Sequence, residues 1–239
     1  MFPHTFPFSQ WISMEDLTGN FDILLDKAQR LFEFSEVKFR QDRNISKWGL
    51  SLCATPVNPG KVVILGISWG GAEFAGITKY SIQRRFPTKE EFLNDYKVGR
   101  YPFIQKSKDL ISEFLQIQIN DVEFNYTNVC LFRSPNVSDL SIKEVRWCMP
   151  ILKEFIELIN PPCILSLGNT NIVYLEPDLR ELKKLTETGT PHVGYSGKLW
   201  GRPFYSVPHP NARKLPDEVR HKIWSDVFQS QSMERKEIS

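Results

Sequence analysis

The sequence is sparing with the features that mark most specialised proteins. It has four cysteines, Cys53, Cys130, Cys148 and Cys163, and no two of them form a C-x-x-C pair. None joins a compact Cys/His set, which argues against a zinc site and favours free buried thiols. No stretch approaches the roughly 18 consecutive apolar residues that a spanning helix needs. The start, MFPHTFPFSQW, lacks both a positive charge and a continuous apolar run, so it does not read as a secretion signal. An intracellular place, cytoplasmic or nucleoid-associated, is the expectation, with no membrane partner. Charge of one sign is missing too: 30 Lys and Arg against 28 Asp and Glu leave a net charge of +2. That excludes a general basic coat for nucleic acid but allows a local patch. There is no internal repeat.

What the 239 residues do contain is an ordinary globular balance, 41% hydrophobic, 13% aromatic and 24% charged. A strand-then-helix rhythm runs through it. Lys61–Gly66 is a short apolar run ending in glycine, as a buried strand would be. Helical segments follow near Thr88–Tyr96 and Phe103–Gln118, then a second strand over Val122–Phe132. Ser141 and Glu144 have capping-box spacing. They open a helix whose apolar stripe is Ile142, Val145, Met149, Leu152, Phe155 and Ile159, with a kink expected at Pro150. Pro162–Gly168 reads as a third strand, Leu179–Thr186 as a helix, Pro203–Val207 as a fourth strand, and Pro216–Phe228 as a final helix. Residues 1–60 hold one helix near Phe21–Phe34.

The rhythm predicts an α/β protein with one domain over residues 61–228. Its four-stranded, largely parallel sheet carries helices on both faces. Residues 1–60 form an N-terminal helical extension packed on the core, and 229–239 a polar tail. In such sheets ligands bind at the carboxyl ends of the strands. The loops there, Gly66–Gly76, Asn128–Asn136 and His209–Arg213, hold the least ordinary residues of the sequence.

Three of these segments resemble one family when taken together. Gly66-Ile-Ser-Trp-Gly70 followed by Phe74-Ala-Gly76 is similar to the G-I-N-P-G and F-A-G segments of uracil-DNA glycosylases. Tyr126-Thr-Asn-Val-Cys-Leu-Phe-Arg-Ser-Pro135 resembles the second-strand segment of the family 4 enzymes. Val207-Pro-His-Pro-Asn211 resembles the closing motif of the superfamily. Cys148-Met-Pro-Ile-Leu, Ile159-Asn-Pro and Ile164-Leu-Ser-Leu-Gly168 lie between them in the family's order. The resemblance spans about Lys61 to Arg213.

It implies a DNA glycosylase. Such an enzyme flips a uracil-like or modified pyrimidine out of DNA and hydrolyses its N-glycosidic bond, in repair or in defence against modified phage DNA. His209 would be the donor facing the base oxygen, and Asn128 the amide that reads the base edge. Phe74 would stack on the base, with Trp69 beside it, and Gly66 and Gly70 would allow close backbone approach. Asn211, Arg213, Lys214 and Arg202 would hold phosphates, as would Lys79, Arg84 and Arg85. Read on their own, His209 and Asn128 also suit strand-end turns, Phe74 a core position, and the basic residues a solvated surface.

The sequence departs from the family at instructive places. Ser68 stands where many relatives have Asp or Asn, Ile67 where family 4 has Glu, and Trp69 where proline is usual. Glu73 is the nearest carboxylate, so Ser68 and Glu73 are the candidates for handling water. Of the four cysteines that hold the family 4 iron–sulfur cluster only Cys148 has a match, since Phe132 stands at the next and the N-terminal pair is missing. No cofactor or metal is therefore expected. The expected partner is DNA, bound by a monomer. The alternatives are a catalytically silent DNA-binding module and a nucleotide-binding α/β protein. The loop after Gly66 lacks the lysine and hydroxyl pattern of a phosphate loop, which counts against the last.

Overall fold

Val62–Gly66, four aliphatic residues and a glycine, is buried at every position, and a strand buried on both faces needs cover on both. The computed structural model describes residues 14–43, 49–69, 82–133, 141–185, 192–210, 212 and 215–236, with the backbone alone at 14–17, 36–43, 102 and 230–236. In chain order the elements are α1 (Met14–Arg43), β1 (Val62–Gly66), α2 (Lys89–Lys97), α3 (Pro102–Leu115), β2 (Phe124–Asn128), α4 (Ile142–Ile159), β3 (Ile164–Leu167), α5 (Thr170–Leu175), β4 (Leu179–Lys184), β5 (Tyr195–Leu199), β6 (Arg202–Val207) and α6 (Asp217–Lys236). The sheet order is β2-β1-β3-β6-β5-β4. No helix among the described residues is long and apolar enough to cross a membrane.

The protein is α/β, and its sheet is mixed. β2, β1, β3 and β6 run parallel, with Gly66 opposite Asn128 and Val63 opposite Ile164. These are the four strands that the apolar runs predict. The expectation of a four-stranded sheet is corrected by β5 and β4, which extend it to six and run antiparallel to their neighbours.

β4 also replaces the helix expected over Leu179–Thr186. Leu179, Leu182 and Leu185 recur every third residue and imitate a helical stripe. In the structure they share no face: Leu179 joins the core under α1 and α4, Leu182 is exposed and Leu185 packs on the opposite core, and a bulge slips the register between Arg180 and Lys183, with Glu181 at φ 55°. Gly197 on β5 makes room for it. A β-carbon there would lie 2.9 Å from the Arg180 carbonyl oxygen and 3.2 Å from the Leu182 Cα.

Side chains alternate between the two faces of the sheet. Val63, Leu65, Ile164 and Phe204 join the core under α1 and α4, which also holds Phe21, Leu24, Phe32, Leu152 and Phe155. Val62, Ile64, Phe124, Tyr126, Leu165 and Val207 join the opposite core, with Phe92 of α2, Ile111 of α3 and Trp224 of α6. α4 begins with the expected box: Ser141 Oγ accepts from the Glu144 N–H, and Glu144 Oε2 accepts from the Ser141 N–H. Pro150 lies exposed within α4, which is one helix from Ile142 to Ile159.

The outer edge of β2 is not left open. Ser51 and Ala54 N–H groups donate to the Leu131 and Tyr126 carbonyls at 3.0 and 2.9 Å. Thr127 Oγ1 donates to the Leu52 carbonyl at 2.6 Å, and the Asn125 amide exchanges two 2.8 Å bonds with the Asn58 backbone. Residues 51–58 thus cover the edge, and they hold fixed the strand that carries Asn128.

Gly197→Ala should lower unfolding free energy by on the order of 1–3 kcal/mol, because the new methyl overlaps the Arg180 carbonyl. Denaturant unfolding checks this, and an unchanged midpoint would contradict it.

Candidate functional site at the carboxyl ends of the parallel strands

Parallel pairing brings the carboxyl ends of β1, β2, β3 and β6 to one edge of the sheet. The two loops leaving β1 and β2 stay joined there, because Val129 and Cys130 donate to the Gly66 and Ile67 carbonyls at 2.9 Å each. Asn128 is the last residue of β2, and strand alternation puts it on the same face as Phe124 and Tyr126. It is fully buried.

Its side chain folds over β1. A β-carbon on Gly66 would lie 2.1 Å from Asn128 Oδ1, so any other residue at 66 would occupy the space of the amide. The Tyr126 hydroxyl donates to the same Oδ1 at 3.3 Å. Burial holds the Tyr126 hydroxyl well above the usual tyrosine range, with the Asn128 hydrogen bond opposing, so it keeps the proton it donates. Asn128 Nδ2 is buried and has no hydrogen-bond partner among the described residues.

A row of rings continues from this amide. Trp69 meets Tyr126 edge to face, with centroids 5.3 Å apart. Its indole Nε1 is also buried and lacks a partner among the described residues. On the other side Phe103 of α3 lies 5.0 Å from Tyr126 and 6.0 Å from His209. His209 follows β6 and packs on Gly168 after β3, where a β-carbon would lie 3.6 Å from the His209 Cβ. The turn is closed by the Ala212 N–H, which donates to the His209 carbonyl at 2.8 Å.

The imidazole of His209 titrates below its ordinary 6.5, mainly because burial disfavours the cation and further because Lys106 is positive. It is therefore neutral at pH 7 and can donate one N–H without carrying charge. The linkage has a definite sign. As pH falls below 6.5 the unfolded chain takes a proton before the folded one, so the stability tied to His209 is complete above 6.5 and declines below it.

The site thus brings together Gly66, Trp69, Asn128 and His209 from the residues expected there. Ser68 is half-buried in the same loop, one residue before Trp69. Arg202 is not at this edge. It begins β6, so roughly 16 Å of strand separates it from the end that leads to His209. Seven residues is a short distance in sequence and a long one along an extended chain. Arg85 is engaged by Glu91, and Arg84 donates to Gln29 Oε1 at 3.2 Å. Gly70, Glu73, Phe74, Lys79, Asn211, Arg213 and Lys214 lie outside the described residues.

Sequence reasoning missed Tyr126, Phe103 and Lys106. For Tyr126 there was a signal, since a strand that delivers Asn128 to a site delivers the residue two before it to the same face. Phe103 and Lys106 gave none, because only the packing of α3 brings them to His209.

All four cysteines are buried, free thiols in the cores. Cys148 Sγ accepts from the Leu131 N–H at 3.4 Å. Burial, then the neighbouring Cys148, pushes the Cys130 thiol well up. Among the described residues no three His, Cys, Asp or Glu side chains gather as a metal site would need. Comparison with protein-family models and with curated proteins finds no match.

Lys106→Gln should raise the His209 titration midpoint toward its ordinary value, because a like charge is removed while burial remains. An NMR titration of the imidazole signals checks this, and an unmoved midpoint would contradict it.

Proposed function

We propose that this protein is a DNA glycosylase of the uracil-DNA glycosylase superfamily, acting on a uracil-like or modified pyrimidine turned out of the DNA stack. The observation that carries the reading is a buried amide, Asn128, with an N–H group unpartnered among the described residues, at the carboxyl ends of the parallel strands of the mixed sheet. A buried polar group without a partner is costly, on the order of 1–3 kcal/mol, and a bound base would relieve that cost. The second support is His209, a neutral imidazole joined to the same ring row through Phe103.

The chemistry then follows from charge. As the C1′–N1 bond breaks, its electron pair moves onto the base, and negative charge gathers on the base oxygens. Fixed donors stabilise that charge more than they stabilise the neutral base, which is the differential a catalyst needs. His209 supplies one donor and Asn128 Nδ2 another. Water adds to the sugar at C1′, and its released proton balances the departing base. Ser68 would orient that water, with Glu73 as the carboxylate in the same loop. Phe74 and Gly70 would complete the base contacts. Lys106 on α3, with Arg213, Lys214 and Asn211, would meet the phosphates. The unusual base implied by Ser68 and Trp69 would suit either repair or defence against modified phage DNA.

The test is release of bases from labelled oligonucleotides carrying uracil, mismatched thymine or modified pyrimidines. One base should be released, and His209→Ala should slow release by about 10²–10³-fold with DNA binding retained. Silence on every substrate with DNA binding intact would contradict catalysis and leave a binding module of the same fold.

A further inference from the structure

Arg133 carries a positive charge that no carboxylate among the described residues pairs with. It follows β2, and its place is fixed twice. Its backbone N–H donates to the Gly49 carbonyl at 2.8 Å, and its guanidinium Nε and Nη2 donate to the buried Ser51 Oγ at 3.3 and 3.1 Å. Ser51 is neutral, so these bonds aim the guanidinium without balancing it. Two of its five N–H groups are used in this way, and three remain. The side chain is half-buried, and burial pulls the guanidinium below its ordinary value with Tyr101 opposing, yet it stays a cation at neutral pH. Asp95, which acts on Tyr101, is held by Arg100 at 2.5 Å, and the first turn of α3 has no acidic residue. A charge kept partly out of water without its opposite is costly, and an arriving anion relieves that cost.

We propose that Arg133 is a phosphate-binding residue: its remaining N–H groups take one phosphodiester of a DNA strand that crosses the carboxyl ends of the parallel strands. The inference rests on the glycosylase reading for the identity of that strand, and it adds where the strand is held. A guanidinium fork matches two phosphate oxygens at once, which a lysine cannot do. The fork lies beside the base site, because Arg133 acts on Tyr101, and the Tyr101 ring meets Tyr126 edge to face at 6.1 Å. Past the other end of the ring row, Lys106 acts on His209. Arg133 follows β2 and His209 follows β6, three strand spacings away in the sheet, or roughly 14 Å. One nucleotide advances a strand by only about 3.4 Å, so Arg133 and Lys106 meet different phosphates. Such contacts hold the strand without reading its sequence.

The experiment measures the affinity of the full chain for two labelled duplex oligonucleotides of unrelated sequence, by fluorescence anisotropy over about 50–200 mM salt. Arg133→Gln should weaken both alike, about five- to tenfold, and lower the slope of log affinity against log salt by about one. Arg133→Lys keeps the charge and loses the fork, so the slope should hold while affinity falls about threefold. Arg202→Gln removes the same charge at the far end of β6 and should leave the slope unchanged and the affinity within about twofold. An unchanged slope and affinity in Arg133→Gln would overturn the proposal, as would an equal loss in Arg202→Gln. If the glutamine protein melts early, wild-type affinity in Arg133→Lys overturns it instead. Inorganic phosphate separates the two sources of the anion. Should it move the Arg133 Nε–Hε signal at millimolar concentration while DNA does not, the site serves a small phosphate and the strand contact falls. Base release is read separately on oligonucleotides carrying uracil or modified pyrimidines. The predicted change of slope without any release sinks the glycosylase reading and leaves the Arg133 contact standing. Release with an unchanged slope does the reverse.

Discussion

The close approach of two paired strands, at the one place where a β-carbon is missing, underlies the rest of the site. Gly66 and Asn128 are register partners at the carboxyl ends of β1 and β2. Because Gly66 has no side chain, the Asn128 amide lies across it and reaches the Tyr126 hydroxyl. Every later feature needs that position. Tyr126 is held by the rings of Trp69 and Phe103, and Phe103 in turn meets His209. Behind β2, residues 51–58 bond to its outer edge, so the strand that carries the amide cannot slide without breaking a set of buried and part-buried hydrogen bonds.

Burial then sets the electrical character of the edge. It keeps His209 neutral, able to donate an N–H without formal charge, and Tyr126 protonated, so that its hydroxyl stays the donor to Asn128 Oδ1. Neutral donors held in place by packing suit a reaction in which negative charge appears only as a bond breaks. A cationic imidazole in the same place would cost more to bury and would hold anions in the ground state as well. Lys106 reinforces the neutral form from α3.

Much of this was legible in the sequence, for reasons that particular residues make plain. β1 and β3 announce themselves as apolar runs closed by Gly66 and Gly168, and both are buried on two faces. The Ser141 and Glu144 pair marks the start of α4 at its observed residue. His209 and Asn128 stand at strand ends, which is where a parallel sheet places ligands. The outer strands were hidden. Leu179, Leu182 and Leu185 are spaced like a helical stripe although the structure puts them in different surroundings, and β5, Tyr-Ser-Gly-Lys-Leu, has too little apolar alternation to read as a strand. Arg202 was misplaced because nearness in sequence says nothing about which end of β6 a residue occupies. Phe103 and Lys106 were invisible because helix packing alone brings α3 across the strand ends.

In the proposed glycosylase, base release depends on the Asn128 amide seated over Gly66, and Gly66→Ala removes that seat. The added methyl takes the place of Oδ1 and crowds the Tyr126 hydroxyl at 3.1 Å, so it displaces the amide on β2 and meets no atom of His209 directly. The measurement is the single-turnover rate of base release from the preferred oligonucleotide, with the melting temperature and DNA affinity of the variant recorded beside it. The rate should fall at least a hundredfold in a protein that still melts cooperatively and still binds DNA. Release at the wild-type rate from that protein would show that the Asn128 amide is structural and that the chemistry lies elsewhere.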